Sequence, residues 1–382
     1  MKGRLLILSL CTFTMSGLFV APPNSLAQSN PASRVPAGNS KAPTPKCSEP
    51  NPRVDVPNGP HGLFVPLFPH NKLMAEAEKY LLNNPLVCGA NLYVVWSQSD
   101  RGPSANPRYD FSYVEQQMTS WTKAGKSINL IVWPTTYSAV AARATPDYVM
   151  AQTPTVECRK FGRVPVFWEK TFVNNYRDFM SAVVQKFGND PAIGYIRFGL
   201  AAGGETFPAC FFALRDRGMT EEIWRNYLLG MLDYEKSLNS PKLLMVGLNG
   251  YGVPQNTALP DALAERAAQN GIAIGSEGLR ADDIQADSSG GACTVDWCRI
   301  FREFHGKVPM ELQTAGPTHP DGSAPGSLVQ LLPFALKNHT QIFEVLLPDW
   351  LIAYDPGNPD YARYHTQYQE ALQAAADVLG GR

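Results

Sequence analysis

Three glutamates stand where short apolar runs give out: Glu205 after YIRFGLAAGG, Glu277 after GIAIGS, and Glu311 inside VPMELQ. An acid beside sequence of this kind is costly unless it is paired or does chemistry. Flat aromatic and amide side chains fall at comparable places along the chain: Trp96, Trp133, Phe207, Asn249, Tyr251, Gln313 and Trp350. Rings of this type can carry the C–H face of a sugar, while amides and carboxylates bind its hydroxyls. Cleavage of a glycosidic bond needs two carboxyl groups in different protonation states. The expected partner is therefore an oligosaccharide or polysaccharide.

The remaining ionisable residues sort around that set. Glu277 has three readings: it binds substrate, it hydrogen-bonds Glu311, or it replaces Glu205 as the acid. Glu344, in the middle of QIFEVLL, reads as a buried structural carboxylate paired with a base, and Arg197 is a candidate partner for any of these acids. His70 and His319 make no metal motif, and Asp282, Asp283 and Asp287 read as a solvated loop. The chain has no GxSxG elbow, P-loop or HExxH, and GLNGYG lacks the GxGxxG order, so neither a metal nor a cofactor is expected.

What must position these residues is an alternation of strand-like and helix-like segments from residue 62 onward. Strands are predicted at 62–67, 90–97, 127–134, 192–201, 242–249, 271–277, 307–313 and 341–348. The helices that follow them are predicted at 72–83, 111–124, 172–187, 220–238, 260–269, 295–304, 327–337 and 360–379. The strands are continuous apolar runs, as expected when both faces are covered. Asp110 and Gly125 supply start and stop signals for the second helix. Eight β-then-α units predict an α/β fold of the (β/α)8 TIM-barrel class, with its site at the C-terminal ends of the strands. An open doubly wound sheet also alternates, but its glycine-rich phosphate turn is missing.

Several of these segments resemble the clan A retaining (β/α)8 glycoside hydrolases, which include β-galactosidases, cellulases and β-mannanases. ANLYVVWSQSD followed by YDFSYVEQQMTSWTKAGKSINLIVWP is similar to the second and third strands of β-galactosidase-like members. YIRFGLAAGGE resembles the fourth strand, VPMELQ the seventh, and LLPDW the eighth, where a tryptophan commonly floors the subsite at the cleaved bond. The resemblance implies that Glu205 is the general acid and later the base, that Glu311 is the nucleophile, and that Trp350 is the floor. It also implies carboxyl groups about 5–5.5 Å apart, the spacing for retention. Two departures stand out. The clan usually has Asn just before the acid/base, and this chain has Gly204. The clan's arginine near the nucleophile has no clear counterpart, although Arg197 lies on the fourth strand. A non-catalytic carbohydrate-binding barrel is the alternative that Gly204 keeps open.

The ends and the composition set the context. Residues 1–27 read as a secretory signal peptide: Lys2 and Arg4, an apolar run from Leu5 to Ala21, and a small-residue site ending at Ala27. Residues 28–58 read as a flexible Pro/Ser-rich tether with Cys47 near its end, and 59–382 as one barrel domain. Cleavage would take the formal net charge from −1 to −3 and leave six of seven cysteines. A secreted or periplasmic location then favours disulfides, with Cys293–Cys298 chosen by proximity and Cys47–Cys88 and Cys158–Cys210 by elimination. No later run is long enough to span a membrane. The chain is 382 residues long with 18% charged residues, and its balanced charge argues against a nucleic-acid binder. Its 31 Gly and 32 Pro follow no period, which excludes a collagen-like chain.

Overall fold

The computed structural model describes residues 47, 50–68, 74–135, 143–159, 162–248, 258–288 and 296–380. Among the described residues, ten strands run in chain order: β1 (Gly62–Leu67), β2 (Val87–Val95), β3 (Ser127–Trp133), β4 (Thr155–Cys158), β5 (Gly162–Pro165), β6 (Ile193–Phe198), β7 (Leu243–Gly247), β8 (Ala273–Leu279), β9 (Met310–Thr314) and β10 (Ile342–Glu344). All except β4 and β5 close into a parallel barrel in the order β1-β2-β3-β6-β7-β8-β9-β10. This is the expected (β/α)8 barrel. The short pair β4–β5 is an antiparallel hairpin inside the long third βα connection, which the sequence reading left without structure.

Strand burial explains why the runs are apolar throughout. Every residue of β2 is buried. Its outward set (Ala90, Leu92, Val94) joins the large core between barrel and helices. The alternate positions face the barrel interior. There, Phe64, Cys88, Tyr195, Met245, Ala273 and Ile342 form an apolar plug towards the strand starts. Tyr93, Val95, Ile131 and Trp133 form a second apolar patch towards the strand ends. The level between them is polar and is described below.

The helices fall close to their predicted bounds, for example Ser112–Lys123, Lys170–Phe187 and Glu221–Ser237. The Asp110 carboxylate accepts from the Ser112 N–H at 3.0 Å, and Gly125, at φ +73°, turns the chain out of the same helix. Two expectations change. The eighth barrel strand stops at Glu344, because Pro348 sits in the first turn of a helix over Leu347–Tyr354. Asp283 is buried rather than solvated, and it accepts the Arg280 N–H at the start of the helix Ala281–Ser288.

Two parts of the segment read as tether, Cys47 and residues 50–58, are tied to the barrel. Cys47 is disulfide-bonded to Cys88. Asn51 is buried, and its side-chain amide donates to the carbonyls of Leu379 (2.8 Å) and Val378 (3.1 Å). Low local hydrophobicity hid this, because the contacts are hydrogen bonds to a distant helix end. Cys158–Cys210 also forms, and Cys298 is disulfide-bonded, while Cys293 lies outside the described residues. No helix among the described residues is long and apolar enough to cross a membrane.

The connection after β9 hangs on one buried acid. Asp349 Oδ1 accepts from the Thr318 N–H (2.9 Å) and hydroxyl (2.6 Å). Burial pushes the Asp349 carboxyl up to about 7 from an ordinary 3.8. A raised folded-state pKa means that stability is lost as pH climbs from about 4 to about 7 and stays lost above it. Asp349→Asn keeps an acceptor for Thr318 and removes the charge. It is expected to gain stability over wild type at pH 8 and to gain little at pH 4.5, by urea melts at both pH values. An equal effect at both would show that the Asp349 carboxyl is not raised in the fold.

Candidate active site

The polar level inside the barrel is built on Arg197, which lies on β6 and is fully buried. Its Nη1 donates to Glu311 Oε2 at 3.1 Å and lies 3.5 Å from Glu344 Oε1. Its Nη2 donates to Glu277 Oε1. One guanidinium therefore faces carboxylates from β8, β9 and β10. Glu344 also accepts from the Asn91 amide and from the Tyr195 hydroxyl (3.2 Å). Asn129 completes the network, donating to Asn91 Oδ1 at 2.8 Å and accepting the Tyr195 N–H at 3.3 Å.

Three carboxylates cannot all be neutralised by one cation. Burial pushes Glu311 well above the ordinary carboxylate range, the Glu344 charge adds to it, and Arg197 opposes both. Burial likewise raises Glu344, to about 7, against the pull of Arg197. The two carboxyls act on each other in opposite senses: Glu344 raises Glu311, and Glu311 holds Glu344 down. Asn91 and Tyr195 donate to Glu344 and favour its charge, so the proton rests on Glu311.

Glycines make room for this arrangement. Residues Glu205, Gly247, Gly275 and Glu311 pair in register across four adjacent chain segments, so the two glutamates share one row with only glycines between them. A Cβ on Gly275 would lie 2.2 Å from Glu311 Oε2, and one on Gly247 would lie 2.9 Å from the Gly204 carbonyl. Gly204 is explained in the same way. A Cβ there would meet Ile131 Cγ2 at 2.7 Å and Arg197 Nε at 3.4 Å. The space that an asparagine would need is taken by Ile131 and the buried arginine.

The aromatic set divides. Trp133 is buried in the interior patch, edge-on to Tyr93 at 4.8 Å, and Phe68 stacks on the other side of Tyr93 at 5.0 Å. Trp96 does not face the mouth. It is wholly buried against Phe172, Tyr176 and Phe179 of the helix Lys170–Phe187, and its indole N–H donates to Asp100. Trp350 is also wholly buried, on the Leu347–Tyr354 helix against Tyr354, so it offers no open ring face. Phe207 is half-buried on the loop after β6, where its carbonyl accepts the Ala202 N–H. Gln313 lies on β9 two residues beyond Glu311, and its buried Oε1 has no partner among the described residues. Asn249, Tyr251 and His70 lie outside the described residues. Glu205 is buried, and the Glu277 carboxylate keeps 17% of its side chain exposed.

Asn91, Asn129, Tyr93 and Tyr195 were missed. Their signal was parity: they alternate with apolar residues inside runs that otherwise read as apolar on both faces.

No known protein-family profile matches the chain, and no curated protein sequence does. Solved structures with the same barrel do exist. The β-galactosidase of the Antarctic haloarchaeon Halorubrum lacusprofundi aligns at TM-score 0.53 and 10% identity, over 83% of this chain and 58% of its own. The β-galactosidase of the psychrophilic Marinomonas ef1 aligns at 0.50 and 11%, over 83% and 59%. That of Rahnella sp. R3 aligns at 0.50 and 11%, over 87% and 58%. The chain thus spans less than three-fifths of those proteins. At this identity the likeness is one of fold.

The glycine row is directly testable. Gly275→Ala is expected to cost about 1–3 kcal/mol by forcing Glu311 off Arg197. Gly278→Ala, whose Cβ would meet only Ser276 Oγ at 3.6 Å, should stay within about 0.5 kcal/mol of wild type. Equal urea midpoints for the two variants would remove the argument that Glu311 is locked in place.

Proposed function

We propose that this chain is a secreted glycoside hydrolase that cleaves a β-linked saccharide with retention, using Glu205 and Glu311. The observation that carries the proposal is the register row in which these two residues are separated only by Gly247 and Gly275. In this reading Glu205 protonates the departing oxygen, and Glu311 attacks the anomeric carbon to form a glycosyl-enzyme. Glu205, now ionised, takes a proton from the water that releases the sugar. The carboxyl separation expected for this course is about 5–5.5 Å. Gln313, with a free buried acceptor beside Glu311, is a substrate contact in this scheme. Trp133 and Phe207 are candidate walls, and Asn249 and Tyr251 are candidate contacts from the loop after β7. Glu277 orients Arg197 and, being partly exposed, also meets substrate.

The protonation of Glu311 sets a condition on this mechanism. A nucleophile must be ionised, so Glu311 has to lose its proton first. The acidic limb of kcat/KM on aryl β-glycosides should therefore lie above the ordinary carboxylate range, with activity lost as pH falls through it. Glu344→Gln removes the neighbouring charge that raises Glu311 and should move that limb to lower pH. A limb unmoved by Glu344→Gln would separate Glu311 from the rate-controlling ionisation.

The total burial of Glu311 favours a second reading, a barrel that binds saccharides without cleaving them. Activated aryl glycosides tested with wild type, Glu205→Gln and Glu311→Gln distinguish the two. The hydrolase reading expects turnover to fall at least about 1,000-fold in both variants with binding kept. Oligosaccharide binding with no turnover by the wild type would leave the binding module.

A further inference from the structure

Far from the mouth, two imidazoles and a carboxylate converge. His305 follows the helix Asp296–Phe304, and His339 follows the helix Leu328–Lys337. Asp55 comes from the N-terminal segment that packs beneath the barrel. Its Oδ2 lies 2.9 Å from His339 Nδ1 and 3.3 Å from His305 Nδ1. The two rings stack with centroids 3.8 Å apart and planes only 11° from parallel, so both Nδ1 atoms reach the same oxygen. One potential ligand atom from each of the three residues lies within 4.8 Å of the others.

We propose that Asp55, His305 and His339 form a site for a divalent transition metal of the zinc class, which clasps the N-terminal segment to the base of the barrel. Neutral imidazole nitrogen and carboxylate oxygen are the donors such ions prefer. Zinc holds nitrogen and oxygen at about 2.0–2.2 Å, so neighbouring donors in a tetrahedral shell lie about 3.3 Å apart. The His305 distance of 3.3 Å matches that and the His339 distance of 2.9 Å is shorter, and because the rings are near-parallel one imidazole turns to aim its lone pair at the shared ion. Both histidines follow helix C-termini, where the exposed carbonyls favour a cation. His339 also takes φ +65°, a left-handed angle at which glycine or asparagine is the easier residue. The side chains are about one-third to two-fifths exposed, which leaves room for water as a fourth ligand.

The sequence reading expected no metal and did not single out residues 55, 305 and 339, which form no local motif. Their convergence requires the fold. The segment is already held by Asn51 on the Leu379 carbonyl and by the Val56 N–H on Gln341 Oε1 at 3.2 Å. A metal would add a cross-link between that segment and two barrel helices. This end of the barrel is associated with stability rather than turnover, so the effect should appear in melting.

The test uses the full chain, freed of metal with a chelator, at pH 7.5. Zinc is expected to bind one-to-one at micromolar concentration and to raise the melting temperature by roughly 2–5 °C in excess, whereas magnesium should do neither. Cobalt(II) in its place should give the intense visible d–d bands of a tetrahedral ion. Asp55→Asn, which keeps a hydrogen-bond acceptor, and His339→Gly, which suits the backbone angle, should each abolish the shift and the bands. Absence of one-to-one uptake by wild type would overturn the site, as would an undiminished zinc shift in both variants.

Discussion

A guanidinium buried in the middle of a closed barrel constrains everything around it. Taking Arg197 out of water costs several kcal/mol, and so does each carboxylate brought in to neutralise it. The cost is offset only if the geometry is good and the remaining polar atoms find partners. That requirement accounts for the residues at its level. Glu277, Glu311 and Glu344 come from three consecutive barrel strands, and Asn91 and Tyr195 donate to the Glu344 oxygen that faces Arg197, with Asn129 holding Asn91. It also accounts for the raised carboxyls of Glu311 and Glu344. With three carboxyls around one cation, holding Glu311 and Glu344 apart as anions would be the costlier state.

The same constraint explains an apparent deficiency. Gly204 stands where the resembling hydrolases carry an asparagine, and on sequence grounds this reads as loss of a substrate contact. The structure gives a packing reason. Ile131 and the Arg197 guanidinium fill the volume that any side chain at 204 would enter. The tight contact is Ile131 Cγ2 at 2.7 Å, with Arg197 Nε and Nη2 behind it at 3.4 and 3.5 Å. The glycine is a consequence of close packing around the arginine. Gly275 follows from the same cause one level down, since Glu311 occupies the place of its missing side chain.

The fold was readable because a barrel strand covered on both faces leaves a strong trace, a continuous apolar run closed by turn residues. Gly62–Leu67 falls where the run GLFVPL predicts it. What failed was reading the direction of side chains. Trp96 lies at the end of such a run and was assigned to the mouth, yet it is one residue out of phase with Tyr93 and Val95 and points into the helix layer. Trp350 was assigned to the end of an eighth strand, but Pro348 starts a helix before it. The expectation that Glu344 pairs with a base was met, because a mid-strand acid has few other ways to exist. Its three-way sharing with Glu277 and Glu311 was not readable, because that depends on barrel closure bringing β6 across from β8, β9 and β10. The link from Asn51 to the last helix was invisible for a similar reason: its partners are carbonyls more than three hundred residues away.

The two ends of the barrel solve different problems with similar groups. At the interior level, acids are held dry, so their protonation is set by one another and by a single cation. Small changes in that set shift which acid is charged. At the base, Asp55 and two histidines are partly wet, and nothing there is forced by burial. Residues in such a place converge only if the backbone is held to bring them together, and at His339 that includes an angle most side chains avoid. The plug of Phe64, Cys88, Tyr195, Met245, Ala273 and Ile342 lies between the two regions. A layer without ionisable carboxylates screens poorly but transmits little proton traffic. Of the plug residues, Tyr195 also belongs to the interior level, through its hydrogen bond to Glu344.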